Sequence, residues 1–280
     1  MSVSQLGNER IVARNNVRAS GSGTQPMLFA HGFGCDQNMW RYVAPAFEHD
    51  HKVILFDYVG SGKSDLESYD AERYSSLEGY AEDVLDICHA LELRDVIFVG
   101  HSVSSMIGVL AANREPDLFD RLVLVGPSAR YVNDLPDYQG GFERPDLEGL
   151  LQMMDSNYIG WANFLAPVIM KNADRPELSE ELEASFCSTD PIIARRFAEA
   201  TFFADNRADA AQVTVPSLIL QCADDSIAPQ SVGEHLRETM KGSTYRLLDV
   251  TGHCPQLSHP AATIDAIREF LSTEPSLQTA

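Results

Sequence analysis

Long apolar runs are missing from this 280-residue chain. No stretch approaches the ~18 apolar residues that a membrane-spanning helix needs. Met1 to Arg18 interleaves Glu9, Arg10, Arg14 and Arg18 with polar residues and lacks the apolar centre of a secretion signal. Basic residues are scarce as well: 21 Lys and Arg face 41 Asp and Glu, a formal charge of −20. Nucleic acids and anionic membranes are polyanions that need clustered cations, so neither is expected as a partner. The five cysteines, Cys35, Cys88, Cys187, Cys222 and Cys254, are odd in number, widely spaced and without a CxxC pair. That pattern argues against a disulfide framework or a structural zinc site. The histidines show no metal-ligand spacing either, so no metal and no other cofactor is expected. What remains, 44% hydrophobic and 22% charged residues, is the balance of a folded globular chain in a reduced, cytoplasmic setting.

From Gln25 onward, short apolar runs alternate with longer amphipathic segments. Met27–Ala30, Val53–Phe56, Val96–Val99, Leu122–Val125, Leu218–Leu220 and Tyr245–Leu248 read as strands buried on both faces of a sheet. Helices are expected over Leu77–Leu91, Val103–Asn113, Ser231–Lys241 and Ala261–Leu271. In the first of these, Leu77, Tyr80, Ala81, Val84, Leu85, Cys88 and Leu91 recur at spacings of three and four and build one apolar stripe. This rhythm is that of an α/β fold, a mostly parallel sheet with helices on both sides. Residues 133–207 break it. No strand pattern occurs there, while Leu147–Met154, Glu177–Phe186 and Ile192–Phe203 have helical periodicity. The division expected is a core of residues 1–132 and 208–280 with a helical insertion, 133–207, between two core strands. The tail Ser272–Ala280 reads as a frayed end.

The run Val96-Ile97-Phe98-Val99-Gly100-His101-Ser102-Val103-Ser104 leads an apolar strand through a turn of small residues straight into a helix. A serine on such a turn stands above the sheet with a helix N-terminus behind it. The usual pattern is Gly-x-Ser-x-Gly; here the last position is Ser104. A seryl hydroxyl needs a base at neutral pH, and the chain order Ser, acid, His expected of this architecture is met by Asp225 and His253, each in a loop after a later strand. Asp225 is preferred to Asp224 because Pro229 suggests a tight turn aiming it inward; Asp224 reads as a turn or surface carboxylate. Phe29-Ala30-His31-Gly32-Phe33-Gly34 has the His-Gly-x-Gly form of an oxyanion loop, whose donors would be the N–H groups of Phe33 and Val103. His31 is expected to brace that loop, and His101 to be a packing or turn residue. Gly60-Ser61-Gly62-Lys63-Ser64 resembles the end of a phosphate-binding loop, but Asp57 stands where the motif needs glycine, so it reads as a turn. Phe33, Tyr131, Trp161, Phe164, Phe202 and Phe203 are candidate linings of a small apolar pocket.

Taken together, His31–Trp40, Gly100–Gly108, Arg130–Asp134 with Asp137–Glu143, and Gly252–Ser258 resemble one branch of the α/β-hydrolases, over about Asn15 to Leu271. That branch holds the bacterial stress-response regulator RsbQ and the plant karrikin and strigolactone receptors. Ser104 matches the plant receptors; Cys254 and the stretch Leu218–Asp225 look more like the bacterial regulator. The resemblance implies a V-shaped lid of four helices over the pocket and a triad of Ser102, Asp225 and His253. It implies either hydrolysis of a butenolide or another small apolar ester or lactone, or ligand sensing with little turnover through a protein partner, of phosphatase type in the bacterial case. The same triad also serves carbon–carbon bond hydrolysis and cofactor-free haloperoxidation, which sequence does not separate.

Overall fold

The computed structural model describes residues 3–273. Helix α1 (Val3–Arg14) and the strand β1 (Arg18–Ser20) precede β2 (Gln25–Ala30), β3 (His51–Leu55), α2 (Leu77–Ala90), β4 (Val96–His101), α3 (Val103–Arg114) and β5 (Phe119–Val125). Four helices follow in succession: α4 (Arg144–Ser156), α5 (Tyr158–Met170), α6 (Pro176–Cys187) and α7 (Pro191–Phe202). The one-turn α8 (Arg207–Ala210) leads back to β6 (Ser217–Asp224), α9 (Gln230–Thr239), β7 (Thr244–Thr251), the short α10 (Pro255–Ser258) and α11 (Pro260–Ser272).

The strands form one sheet in the order β1-β3-β2-β4-β5-β6-β7. Every neighbouring pair is parallel except β1 with β3. Parallel pairing requires long crossovers, and the helices that supply them cover both faces. Alternate strand residues therefore enter two different cores. Leu28, Ala30, Phe98, Leu122, Leu124 and Ile219 pack with α2 and α3, whereas Met27, Phe29, Ile97, Val99, Val123 and Leu220 pack with α11 and the helical insert. All six residues of β4 are buried, which is why this strand reads as an unbroken apolar run. β7 departs from the expectation: it is an edge strand with mostly exposed or half-buried residues, Leu247 among them at 42%.

At the N-terminal side, β1 and α1 lie outside the sequence expectations. β1 is three exposed residues, too short and too polar for a period of two to register. α1 is held by tertiary contacts: Arg14 pairs with Asp83 at 3.1 Å and with Asp86 at 2.9 Å on α2. Asn15, just beyond α1, donates to Asp83 Oδ2 and to the Asp57 carbonyl. Of the tail read as frayed, Ser272 closes α11 and the Thr273 N–H bonds back to the Phe270 carbonyl; residues 274–280 lie outside the described part.

Between β5 and β6, α5 packs on α6 and α4, and α4 on α7. The two ends of this insert meet. The Asn206 N–H donates to the Ala129 carbonyl at 2.8 Å, and Arg130 lies 3.0 Å from Asp205. α5 escapes a periodic reading because it is apolar nearly all round and carries Pro167.

Candidate active site

β2 and β4 run side by side with Ala30 opposite Gly100, so the loops leaving their C-terminal ends start as neighbours. Ser102 sits at the β4–α3 junction with φ 56° and ψ −122°, a left-handed conformation that a non-glycine residue holds only under constraint. The constraint is visible: its N–H donates to the Val125 carbonyl of β5 at 2.8 Å. Gly100 cannot carry a side chain, because a Cβ there would lie 2.6 Å from the Ser104 carbonyl oxygen.

His253 follows β7. Its Nε2 is 2.7 Å from Ser102 Oγ, and its Nδ1 is 2.7 Å from Asp225 Oδ2. The His253 N–H is tied to the Ile169 carbonyl of α5 at 2.9 Å, so the insert helps hold the imidazole loop. Asp225 lies in the loop after β6 with its side chain fully buried. Its other oxygen accepts the N–H groups of Ile227 at 2.8 Å and Ala228 at 3.0 Å. Burial alone would raise its pKa; His253 and these two N–H groups outweigh burial and hold the carboxyl below its usual range. Asp224 is exposed and forms an ion pair with Lys171, away from the imidazole. Asp225, and not Asp224, is thus the carboxylate that meets the imidazole.

The neighbouring histidines have other partners. His101 is 2% exposed, and its Nε2–H donates to the His253 carbonyl at 2.9 Å. Burial, aided by His253, lowers its pKa to about 3, so it stays neutral. His31 Nδ1 lies 2.9 Å from the Gly32 carbonyl oxygen, and its Nε2 accepts the Tyr58 N–H at 3.1 Å. Phe33 and Val103, the residues expected to supply oxyanion donors, lie in the loop after β2 and at the first position of α3. The Phe33 N–H has no backbone acceptor among the described residues, and a first-turn N–H has none within its own helix. Gly60–Ser64 forms a turn closed by the Gly60 N–H on Ser64 Oγ. Asp57 accepts the Gln37 and Lys63 N–H groups beside it.

Ser102 and His253 open into a cavity roofed by the insert. Of the six candidate linings, Phe33, Tyr131 and Phe202 face it, with the Tyr131 hydroxyl 3.4 Å from Ser102 Oγ. The other three do not. Trp161 is wholly buried one layer behind, against Phe33 and Phe186. Phe164 is 53% exposed on the outer side of α5. Phe203 lines an outer groove between α4 and α7, where the Arg144 guanidinium lies 4.6 Å from its ring centre. The walls missed by sequence reasoning include Phe142, Leu147, Leu165, Ile169 and Phe186. Leu147 and Phe186 lie on the inward stripes of α4 and α6, which are their sequence signal; Leu165 and Ile169 on the all-apolar α5, and Phe142 before α4, have none. Among the described residues no helix is long and apolar enough to cross a membrane.

Residues 25–260 match the family model described as alpha/beta hydrolase fold. The chain is 40% identical over 254 residues to the karrikin insensitive 2 receptor CA of Petunia hybrida, covering 90% of this chain and 94% of that one. It is 40% identical to the strigolactone esterase RMS3 of Pisum sativum over 88% of this chain and 92% of that one. Among solved structures, a hydrolase from Oleispira antarctica superposes with a TM-score of 0.93 at 47% identity, covering 95% of this chain and 98% of that one. With the strand order, the strained serine turn and the Ser–His–Asp contacts, these matches place the chain in the alpha/beta hydrolase fold family.

Proposed function

We propose that this protein is a serine hydrolase that acts by acyl transfer on a small, uncharged ester or butenolide lactone. The observation that carries this reading is the unbroken run of two 2.7 Å contacts from Asp225 through His253 to Ser102. His253 Nε2 takes the Ser102 proton as Oγ attacks the substrate carbonyl. The tetrahedral oxygen is held by the Phe33 and Val103 N–H groups. Asp225 keeps the imidazole proton on Nδ1 and stabilises the imidazolium that forms. His253 then protonates the leaving group, and water, activated by the same imidazole, releases the acyl group. The apolar walls favour an uncharged substrate, because a charged one would lose hydration with little in return.

We read residues 133–207 as a lid over this site and the setting as cytoplasmic. A second reading, ligand sensing through a protein partner with slow turnover, draws support from the relative called karrikin insensitive 2 receptor CA. It also draws on the bond from the His253 N–H to Ile169, which links the imidazole loop to the lid. A phosphatase-type partner would fit the resemblance to RsbQ. Product analysis over a panel of aryl esters and butenolides tests the proposal. Turnover of one compound that is lost in Ser102→Ala supports it. Failure to turn over any of them, with Ser102→Ala binding ligand and partner as well as the wild type, favours sensing.

A further inference from the structure

Ser104 departs from the glycine usual in the serine turn, and its side chain is engaged. It is wholly buried, and its hydroxyl donates to the main-chain oxygen of His31. Ser104 Oγ also lies 3.1 Å from the Tyr58 hydroxyl. A serine has one hydroxyl proton, so Tyr58 supplies the proton of that second contact.

The His31 carbonyl belongs to the peptide joining His31 to Gly32. The next peptide, Gly32 to Phe33, carries the Gly32 oxygen on one side and the Phe33 N–H on the other, pointing opposite ways across a trans plane. The Gly32 oxygen accepts the His31 Nδ1–H at 2.9 Å and the Cys35 N–H at 3.3 Å. Two consecutive peptide planes leading to the Phe33 N–H are thus held, the first by Ser104 at its oxygen and by Met39 Sδ, 3.3 Å from the Gly32 N–H, and the second by His31 and Cys35. Gly32 between them supplies no steric restraint of its own. It cannot be given one, since a Cβ there would lie 2.5 Å from His101 Nδ1. Hydrogen bonds do what a side chain would otherwise do.

We propose that Ser104 is a positioning residue whose hydroxyl, bonded to the His31 carbonyl, aims the Phe33 N–H at the oxyanion formed on Ser102. The proposal rests on the acyl-transfer reading and on Phe33 as an oxyanion donor. It assigns the serine at this position a task that a glycine there cannot perform.

The test uses the full chain with Ser104→Ala, and p-nitrophenyl acetate as substrate. Two inhibitors accompany it: a trifluoromethyl ketone, whose carbonyl carbon takes up the Ser102 oxygen so that the former ketone oxygen becomes the oxyanion, and the matched alcohol, which forms no such adduct. Ser104→Ala is expected to lower kcat by roughly 10-fold and weaken the ketone by about the same factor, with KM and alcohol binding within about twofold of wild type. Ser104→Gly should behave alike, and Tyr58→Phe should show the same pattern more weakly; these carry the test if Ser104→Ala does not fold. Unchanged kcat and ketone affinity, or equal weakening of ketone and alcohol, overturns the role of Ser104. A wild-type protein that binds ketone and alcohol equally overturns the oxyanion reading itself, and this proposal with it.

Discussion

The sheet core and the helical insert solve different problems with different means. In the core, position is set by backbone register: Ala30 opposite Gly100 and Val125 opposite His101 bring the oxyanion loop and the serine turn together. The side chains behind them, such as Phe98 and Ile107, are wholly buried. The insert has no sheet to fix it. It is held by side-chain packing, by the joined ends at Arg130 and Asp205, and by single ties such as His253 to Ile169. It also leaves Ile159, Phe164 and Ile192 facing solvent. On the proposed function the sheet places the chemistry and the insert supplies most of the cavity wall that meets the substrate, and each half of that division is open to test.

Ser102→Ala should cut kcat on an activated ester by about 10⁴-fold or more. Unfolding free energy should move by no more than about 0.5 kcal/mol, read by urea denaturation. A smaller rate loss would mean that the core does not hold the nucleophile. In the insert the balance should reverse. Phe186 is wholly buried against Trp161 and lines the cavity. Phe186→Ala should cost about 3–5 kcal/mol of stability and shift substrate preference toward larger acyl groups, read from kcat/KM across a chain-length series. Unchanged preference would break the assignment of selection to the insert.

Acid should act on the core. Unfolded His101 binds a proton below about pH 6.5, whereas folded His101 stays neutral down to about 3. The unfolded state therefore holds more protons between those values, and stability falls as pH drops across that window. Asp225, held below its usual range, adds to the loss below about pH 4, where its unfolded form takes up a proton. Replacing His101→Gln should flatten the slope of unfolding free energy against pH between about 6.5 and 4 by close to one proton. An unaltered slope would assign the acid sensitivity elsewhere. At the small end, Phe164→Ser on the exposed side of α5 should leave stability within about 0.5 kcal/mol and kcat/KM unchanged, measured on the same ester. A change in preference there would return Phe164 to the cavity wall.

Legibility in the sequence follows the same division. β4 and β5 are apolar runs because both of their faces are covered, and the three site residues were found because each lies just past a strand end in a set chain order. β1 and α1 were not found because pairing with β3 and the Arg14 pairs on α2 hold them, and neither leaves a local pattern. The pocket aromatics were half legible. Residue type says nothing of direction: Phe202 at the end of α7 faces the cavity, whereas Phe203, the next residue, faces the outer groove. Only the packing of α4 to α7 decides that Phe186 faces the cavity while Phe164 faces solvent.

The most direct measurement is a rapid acid quench of the protein with p-nitrophenyl acetate, followed by intact-mass and peptide-level mass spectrometry. One acetyl group on Ser102, absent from Ser102→Ala and accumulating in His253→Ala no faster than the uncatalysed background, is the expected result. Acetyl on another residue, such as the exposed Cys187, with Ser102 unmodified during turnover, would contradict it.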